Sequence, residues 1–282
     1  MIEAPQDKYE RLKSRLTSIG SVLVAYSGGV DSTLLALTAT LVLGDRCVCA
    51  LAVSDTYPES EAAHARKVAA ELGLSLVELE TNELVDPAFR ANGPDRCYHC
   101  KSELFSLLQT VAESRSLACV ADGSNIDDLR DHRPGRQAAA EYNVISPLLE
   151  SGLNKRDIRS LAHDLGLPNW DRPSMACLAS RFPYGDPINE DGLALVARAE
   201  EGLRALGLVQ FRVRAHGSVA RLEVDDGEQD SAWAMRDRVS MAIRDAGFAY
   251  VAQDLDGYRS GSLNETLQLS EFSGGDDGSS SR

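Results

Sequence analysis

Residues 22–40, VLVAYSGGVDSTLLALTAT, decide the fold of this chain. Residues 22–25 form a short apolar run rich in branched side chains, which is typical of a buried parallel strand. Residues 27–29, Ser-Gly-Gly, end that strand, and an apolar helical pattern follows them. A strand, a glycine turn and a helix start direct several backbone N–H groups at one point, so this stretch predicts an anion-binding site on an α/β fold.

The hexapeptide Ser27-Gly28-Gly29-Val30-Asp31-Ser32 narrows the kind of anion site. It lacks the lysine of a Walker A loop and does not match the GxGxxG fingerprint. An ordinary βα turn without a ligand is the alternative interpretation. Asp31 and Ser32 are residue types that favour helix N-caps. The hexapeptide resembles the SGGxDS pyrophosphate loop of the ATP pyrophosphatases, adenine-nucleotide-hydrolase-like enzymes that split ATP between its α and β phosphates.

The resemblance to ATP pyrophosphatases implies a set of nucleotide-binding residues. It implies that the phosphate loop holds the β and γ phosphates, and Asp31 is the candidate contact for magnesium. Two further residues stand at predicted strand ends, where parallel sheets bind ligands, and are candidates to line the adenosine. The candidate nucleotide-binding residues are Ser27, Gly28, Gly29, Asp31, Ser32, Ser54 and Gly123.

The composition limits the class of protein. The chain has 282 residues, 43% of them hydrophobic, which suffices for one large or two modest domains. Its formal net charge of −14 disfavours unaided binding to nucleic acid. No apolar run approaches the roughly 20 residues that a membrane span needs. The N-terminus carries no hydrophobic signal region, so we expect a cytoplasmic protein with reduced cysteines and no membrane partner.

Strands and helices alternate along the first two thirds of the chain, which predicts an open parallel sheet with helices on both faces. The expected strands lie at 22–25, 47–53, 74–79, 117–121 and 145–149, and the charged stretch 127–136 is expected to be a loop. The expected helices beside the one after the phosphate loop lie at 7–19, 60–72, 101–114 and 154–165.

We place a domain boundary after residue 188. Residues 1–188 are the predicted pyrophosphatase domain, and residues 189–272 are predicted to form a small C-terminal α/β domain. Its expected elements are helices at 189–206 and 228–246 and strands at 209–215, 220–224 and 248–252. Residues 273–282, SGGDDGSSSR, have low complexity and are expected to be disordered.

Three of the six cysteines are candidates for chemistry. Cys97 and Cys100 form a CxxC motif at a predicted helix start, which suits a redox pair or two ligands of a metal site. A zinc site needs two more ligands, such as His99 and Cys177, whereas an iron–sulfur site needs only Cys177 and leaves one iron open. The other three, Cys47, Cys49 and Cys119, lie in predicted strands and are interpreted as core residues.

Five further segments together resemble one family, LarE, the pyridinium biscarboxylate mononucleotide sulfur transferases of nickel-pincer cofactor assembly. The similarity covers nearly the whole chain apart from its tail, and the CLASR segment is far more specific than the phosphate loop. The segments are PDRCYHCK at 94–101, GSNIDDLRDHRPGR at 123–136, RPSMACLASRFPYG at 172–185, FRVRAH at 211–216 and GYRSGSLNE at 257–265.

The resemblance to LarE implies a reaction and a cofactor. LarE-type enzymes use MgATP to adenylate a substrate carboxylate, expel pyrophosphate, and then replace AMP by sulfur to give a thiocarboxylate. In some members a cysteine matching Cys177 gives up its own sulfur. In others, cysteines matching Cys97, Cys100 and Cys177 bind a 4Fe-4S cluster whose open iron carries the transferable sulfide. Because this chain has all three cysteines, we predict the cluster-dependent type, with an unidentified sulfide source.

A phosphate-bearing dicarboxylate substrate requires local arginines on a chain of such negative charge. Strand alternation places Arg212 and Arg214 on one face, and a solvated strand face is the plain alternative. Glu200 and Glu223 are expected to bind a metal, to orient these arginines, or to be ordinary surface charges. The candidate substrate-binding residues, which match LarE motifs, are Arg133, Arg136, Arg181, Arg212, Arg214 and Arg259.

Three other functions remain open at this point. A tRNA-thiolating enzyme of the same superfamily would carry an RNA-binding module and a basic face, and neither is evident. An amide-forming NAD or GMP synthetase would leave the three cysteines without a role. A nucleotide-binding regulatory protein would use zinc as a structural staple. The LarE resemblance also implies a homo-oligomer formed through the C-terminal unit.

Overall fold

The computed structural model describes residues 3–130, 134–173, 176–259 and 261–265, which form two compact units. The first unit holds the described residues up to Phe89 together with Asp95–Cys177. The second holds Arg90–Pro94 and the described residues from Leu178 onward, so the division falls before the boundary placed at residue 188. The predicted disordered tail lies outside the described residues.

The first unit contains the predicted open parallel sheet. Its strands are β1 (Val22–Tyr26), β2 (Cys47–Val53), β3 (Leu76–Glu80) and β4 (Val120–Ala121). They lie in the order β3-β2-β1-β4, and every pairing is parallel. The chain therefore proceeds from β1 to one side of the sheet and returns to the other side at β4. The gap between the carboxyl ends of β1 and β4 is the switch point where such sheets bind ligands.

Helices cover both faces of this sheet. Along β1, Val22 and Val24 point into one apolar cluster and Leu23 into another, as strand alternation requires. The first cluster is completed by α1 (Pro5–Ile19), α2 (Val30–Leu43), α3 (Glu59–Glu71) and α8 (Lys155–Asp164), and the second by α5 (Arg96–Ser114) and α6 (Gly135–Glu141). Two further helices are α4 (Pro87–Arg90) and α7 (Pro147–Glu150).

Three predicted elements of the first unit differ in the structure. Only Val120–Ala121 is strand within the segment expected at 117–121. The strand expected at 145–149 is reduced to one parallel bridge at Ile145, because Pro147 lacks the N–H that a ladder needs and begins α7 instead. The charged stretch expected to be a loop contains a 3₁₀ turn, Ile126–Arg130, and the start of α6.

The second unit is a small two-layer α/β structure. A sheet of three strands, in the order β5-β6-β7, pairs its first two strands antiparallel and its last two parallel. The helix predicted at 228–246 is interrupted at Met235, whose backbone leaves the helical region. The elements are α9 (Glu190–Ala205), β5 (Phe211–His216), β6 (Val219–Val224), α10 (Gln229–Ala234), α11 (Arg236–Ala246) and β7 (Tyr250–Gln253).

Two predicted helix starts are confirmed by their caps. The side chain of Asn154 accepts a hydrogen bond from Asp157 N at 2.8 Å, and the Asp157 carboxylate accepts one from Asn154 N. Asn189 accepts a bond from Gly192 N at the start of α9. In the described part of the chain, no helix has both the length and the apolar character that crossing a membrane requires.

Candidate active site

The phosphate loop, residues 27–32, joins β1 to α2 at the switch point of the sheet. Gly28 has a φ of +67°, and a Cβ atom at that position would lie 2.6 Å from Cβ of Ala65. Glycine is therefore needed both for the backbone conformation and for the space. Ser32 Oγ accepts a hydrogen bond from Ser27 N at 3.2 Å and lies 3.1 Å from Ser27 Oγ, so the two serines close the loop.

The helix after the loop begins one residue earlier than the cap residues suggest. Gly29, in an extended conformation, is the N-cap of α2, and the helix starts at Val30. Asp31 and Ser32 thus lie in the first turn, and their interpretation as N-caps was wrong. No side chain of the described residues caps this helix start. The first N–H groups of α2 therefore have no side-chain acceptor and point toward the phosphate loop, where an anion could accept from them. Asp31 adds a carboxylate at the same place.

The carboxyl ends of β2 and β4 bring the other two predicted nucleotide residues to the same edge of the sheet. A Cβ atom on Gly123 would lie 3.0 Å from Ser32 N, so Gly123 packs against the first turn of α2. Ser54 Oγ lies 2.9 Å from Thr56 Oγ1 in the turn after β2. The structure therefore brings Gly123 to the phosphate loop and keeps Ser54 at the neighbouring strand end.

Two side chains from other segments hold the loop and were not predicted. Asn169, which is 1% exposed, donates from Nδ2 to Gly28 O at 2.7 Å and to Thr33 Oγ1 at 3.0 Å. Tyr57 donates its hydroxyl proton to Ser27 O at 2.7 Å. Both bonds use carbonyl oxygens of the loop, so neither occupies an N–H group that an anion could take. Asn169 stands in the same connection as Cys177, so that connection is tied to the loop.

Replacing Gly28 by alanine tests the tight packing of the loop. We expect Gly28→Ala to lose nucleotide binding and to destabilise the first unit by more than the roughly 1–2 kcal/mol of a positive φ alone, because the added methyl meets Ala65. Gly73→Ala is the matched control, since Gly73 has a φ of +65° and no described atom within 4 Å of its Cβ position. Urea unfolding and ATP titration of both variants make the measurement, and equal effects would contradict this reading of Gly28.

The three candidate cysteines all lie in the first unit. Cys97 and Cys100 lie in the first turns of α5, and Cys177 follows Ala176 at the far end of the unit's sequence. Cys97 is exposed, whereas Cys100 and Cys177 are half-buried. The thiols lie close enough to influence one another electrostatically, since Cys177 raises the pKa of both other thiols. The structure therefore brings together three thiols that are far apart in the sequence.

The surroundings of these thiols favour their neutral form. Desolvation is the main cause that raises the pKa of Cys97, although part of its surface is exposed, and Arg96 opposes the rise. Burial raises the pKa of Cys100 far above its ordinary value, and Lys101 opposes that rise. Cys100 Sγ also lies 3.8 Å from Glu83 Oε1. Binding a metal ion or cluster here therefore requires loss of the thiol protons.

Both ring nitrogens of His99 face carboxylates. Its two ring nitrogens lie 3.0 Å from Asp86 Oδ2 and 3.4 Å from Asp95 Oδ2. Together with Glu83, His99 lines a cavity of about 220 Å³ beside the start of α5. Within the described ranges, no three histidine, cysteine or acidic side chains are arranged as a metal site. The zinc interpretation that used His99 as a ligand gains no support from this arrangement.

The second unit buries three of the six predicted substrate arginines. Arg181 has no exposed surface, and its Nε and Nη2 donate to the two carboxylate oxygens of Glu200 at 2.8 and 2.9 Å. Burial disfavours the Glu200 carboxylate, but Arg181 and the N–H of Val213 outweigh burial and hold the pKa of Glu200 below its ordinary value. Of the three roles expected for Glu200, which were metal binding, orientation of an arginine and ordinary surface charge, the structure therefore supports the orientation of Arg181.

Arg212 and Arg214 lie on β5 and are 3% and 7% exposed, so the alternative of a solvated strand face was wrong. Arg214 donates to Glu223 Oε2 at 2.7 Å and to Ser180 O at 2.7 Å. Burial, and then the charge of Arg181, lower the pKa of Arg212 to about 10. The guanidinium carbon of Arg212 lies 5.0 Å from the ring centre of Tyr258. Three guanidinium groups are thus concentrated in one buried region of the second unit.

Two of the other three predicted arginines belong to the described residues. Arg259 is partly exposed and pairs with Asp256 at 3.2 Å and Glu265 at 3.1 Å. Arg136 lies on α6 of the first unit. Arg133 lies outside the described residues. Among the candidate arginines within the described ranges, the structure therefore brings together Arg181, Arg212 and Arg214.

Comparison with known proteins gives the family. The NAD synthase family model matches residues 7–106, which contain the phosphate loop and the CxxC motif. The pyridinium-3,5-bisthiocarboxylic acid mononucleotide synthase of Lactiplantibacillus plantarum, a LarE enzyme, is 38% identical over 269 residues, 94% of this chain and 98% of that enzyme. This chain belongs to the LarE family.

Two further relatives differ in how much of this chain they match. An uncharacterized protein of Synechocystis sp. is 42% identical over 264 residues, which cover 93% of this chain and 98% of that protein. A glutamine-hydrolysing GMP synthase of Archaeoglobus fulgidus is 25% identical over 179 residues, only 60% of this chain and 56% of that protein. The LarE match extends through both units, so the predicted ATP-dependent sulfur-transferring enzyme is confirmed over an amide-forming synthetase.

Proposed function

We propose that this LarE-family chain converts the carboxylates of pyridinium biscarboxylate mononucleotide to thiocarboxylates, using ATP to activate each carboxylate as its adenylate and forming AMP and pyrophosphate. The observation that carries this proposal is that Cys97, Cys100 and Cys177 lie within electrostatic range of one another in the unit that holds the phosphate loop. The activity for which the Lactiplantibacillus plantarum relative is named supports the substrate and product.

The nucleotide half of the proposed reaction uses the switch point of the sheet. The phosphate loop binds the β and γ phosphates through its N–H groups and Ser27, Asp31 contacts magnesium, and Ser54 and Gly123 line the adenosine. A substrate carboxylate is already a nucleophile, so adenylation needs no general base. It requires positioning of the carboxylate against the α phosphate and stabilisation of the charge that develops there.

The sulfur half uses the three thiols. We propose that Cys97, Cys100 and Cys177 hold a 4Fe-4S cluster, since three thiolates fix such a cluster and leave one iron open. The donor type and the mutual proximity of the thiols fit this group, although the described side chains are not preassembled as a metal site. When bound, the cluster supplies a transferable sulfide. The main alternative is that Cys177 donates its own sulfur.

The buried arginines supply the positive charge for the substrate. Arg212 and Arg214 are proposed to bind its phosphate or carboxylate groups, and Arg136 and Arg259 are further candidates, as is Arg133. Arg181 is proposed to position the others, because its fork is already occupied by Glu200. Glu223 holds Arg214 through a single hydrogen bond. We further propose that the protein is cytoplasmic and forms a homo-oligomer, the latter as the LarE resemblance implies.

A stoichiometric assay under anaerobic conditions tests the proposed function. The full chain, reconstituted with iron and sulfide, is incubated with MgATP and pyridinium biscarboxylate mononucleotide. We expect one AMP and one pyrophosphate for each thiocarboxylate formed, and pyrophosphate release only when the dicarboxylate is present. Pyrophosphate release that needs tRNA instead, or thiocarboxylate formation without AMP, would contradict the proposal.

A further inference from the structure

Lys155 is an unpredicted cation beside the phosphate loop. Its Nζ forms an ion pair with Asp31 Oδ2, the carboxylate proposed for magnesium. The side chains of Lys155 and Asp31 are 32% and 22% exposed, so this pair is open to solvent on one side. The loop sequence itself, SGGVDS, contains no lysine or arginine. Lys155 therefore adds a full positive charge beside a loop whose own groups for attracting an anion are backbone dipoles and hydroxyl groups.

Lys155 and Asp31 are held in place by different neighbouring groups. The backbone N–H of Lys155 donates to Asp127 Oδ2 at 2.8 Å, and the capping box of Asn154 fixes the first turn of α8. The Lys155 stem thus starts from a fixed point, but its four-carbon chain can rotate. On the other side, Nδ2 of the buried Asn125 lies 3.5 Å from Asp31 Oδ1, so Asp31 is contacted at both oxygens.

We propose that Lys155 is a further nucleotide-binding residue, which exchanges its ion pair with Asp31 for one with the triphosphate when magnesium binds. A magnesium ion on Asp31 repels an ammonium group in contact with the same carboxylate. The phosphate oxygens that arrive with the metal are new anions, and Lys155 already reaches Asp31 in the loop that is proposed to bind them. This inference rests on the use of ATP in the proposed function.

The exchange distinguishes Lys155 from a lysine that only neutralises Asp31. If neutralisation were its role, replacing Asp31 by asparagine would remove any need for Lys155. If Lys155 binds phosphate, its contribution to nucleotide affinity persists after Asp31 is replaced. A double-mutant cycle separates the two cases.

The experiment titrates the full chain with a non-hydrolysable ATP analogue, by calorimetry, with magnesium and with EDTA. We expect Lys155→Met to raise the Kd of the magnesium complex about 10-fold or more, as loss of a charge-assisted hydrogen bond does. We expect Asp31→Asn/Lys155→Met to bind more weakly than Asp31→Asn alone. Lys8→Met is the matched control, because Lys8 of α1 pairs at 2.5 Å with Asp157, which lies on the same helix as Lys155. The Kd of the Lys8→Met variant for the magnesium complex should not change.

Several outcomes would overturn the proposal. They are an unchanged Kd for Lys155→Met, a double variant equal to Asp31→Asn, or an equal loss in Lys8→Met. Thermal melting of each variant separates a loss of folding from a loss of binding. A wild-type chain that binds the magnesium complex but forms no thiocarboxylate would contradict the proposed function and leave the Lys155 result standing. A wild-type chain that fails to bind it would contradict both.

Discussion

Cys97→Ser, Cys100→Ser and Cys177→Ser should each lose more than about 100-fold in thiocarboxylate formation while still releasing pyrophosphate from MgATP in the presence of the dicarboxylate. The reason is that serine keeps the size of the side chain but provides neither a thiolate ligand nor a transferable sulfur. Because the three thiols act as one unit, the triple variant should be no worse than each single one. Chromatography of the thiocarboxylate and a coupled pyrophosphate assay measure the two halves.

Cys119→Ser is the matched control for this series. Cys119 is half-buried, as Cys100 and Cys177 are, and it lies away from the cluster beside β4. Its replacement should leave both halves of the reaction intact. Loss of pyrophosphate release together with sulfur transfer in the three variants would contradict a separate sulfur-donating role. Retention of full sulfur transfer by any one of them would contradict the three-thiol site.

Glu200→Ala should destabilise the second unit by about 3–5 kcal/mol, because it leaves the guanidinium group of Arg181 buried without its carboxylate. The same substitution also removes the acceptor of the Val213 N–H at 3.1 Å. Glu201→Ala is the control, since Glu201 is the next residue on α9, is 63% exposed, and pairs with Arg204 at 3.6 Å. Its effect should stay within about 0.5 kcal/mol.

The Glu200 carboxylate should also make the stability of the second unit depend on pH in acid. The folded-state pKa of Glu200 lies below its ordinary value, so the folded chain resists protonating it. The stability it contributes is fully present above its unfolded pKa and is lost as the pH falls through the folded pKa. Urea unfolding of the wild type should therefore weaken on acidification more steeply than that of Glu200→Gln. Equal acid slopes in both proteins, or equal stabilities of Glu200→Ala and Glu201→Ala, would contradict the buried ion pair.

The sequence predicts the centre of the first unit because its signals there are local. The apolar run of β1, the two glycines and the helical pattern of α2 follow one another directly along the chain. Caps such as Asn154 and Asn189 act on backbone atoms three residues away, so they too are visible in the sequence. Met235 shows the limit, because methionine is a good helix former and nothing local marks the break.

The residues that were missed act over long range. Asn169 donates to Gly28 O, and Lys155 pairs with Asp31, across more than a hundred residues of chain. No spacing or periodicity reports such a contact, because it depends on how helices pack on the sheet. The NWDRP segment that contains Asn169 offered the one available hint, since a polar residue near prolines is typical of an ordered loop.

The burial of the arginines could likewise not be predicted from the local sequence pattern. Alternation correctly places Arg212 and Arg214 on one face of β5, but it does not tell whether that face meets water or protein. Glu223 on the paired strand accepts a hydrogen bond from Arg214, and Glu200 on α9 accepts one from the backbone of β5. These bonds offset part of the free-energy cost of burying the charged groups. The resemblance to LarE drew attention to these positions, whereas their charge alone suggested an exposed strand.

The most direct test of the three-thiol account is the mass of Cys177 after turnover, combined with the iron content of the same sample. The full chain is purified and reconstituted without oxygen, assayed for iron and acid-labile sulfide, and allowed to form several thiocarboxylates per chain. The account predicts a 4Fe-4S cluster that is lost in Cys97→Ser, and a Cys177 peptide of unchanged mass. A Cys177 peptide converted to dehydroalanine, or a chain that holds zinc and no iron, would contradict it.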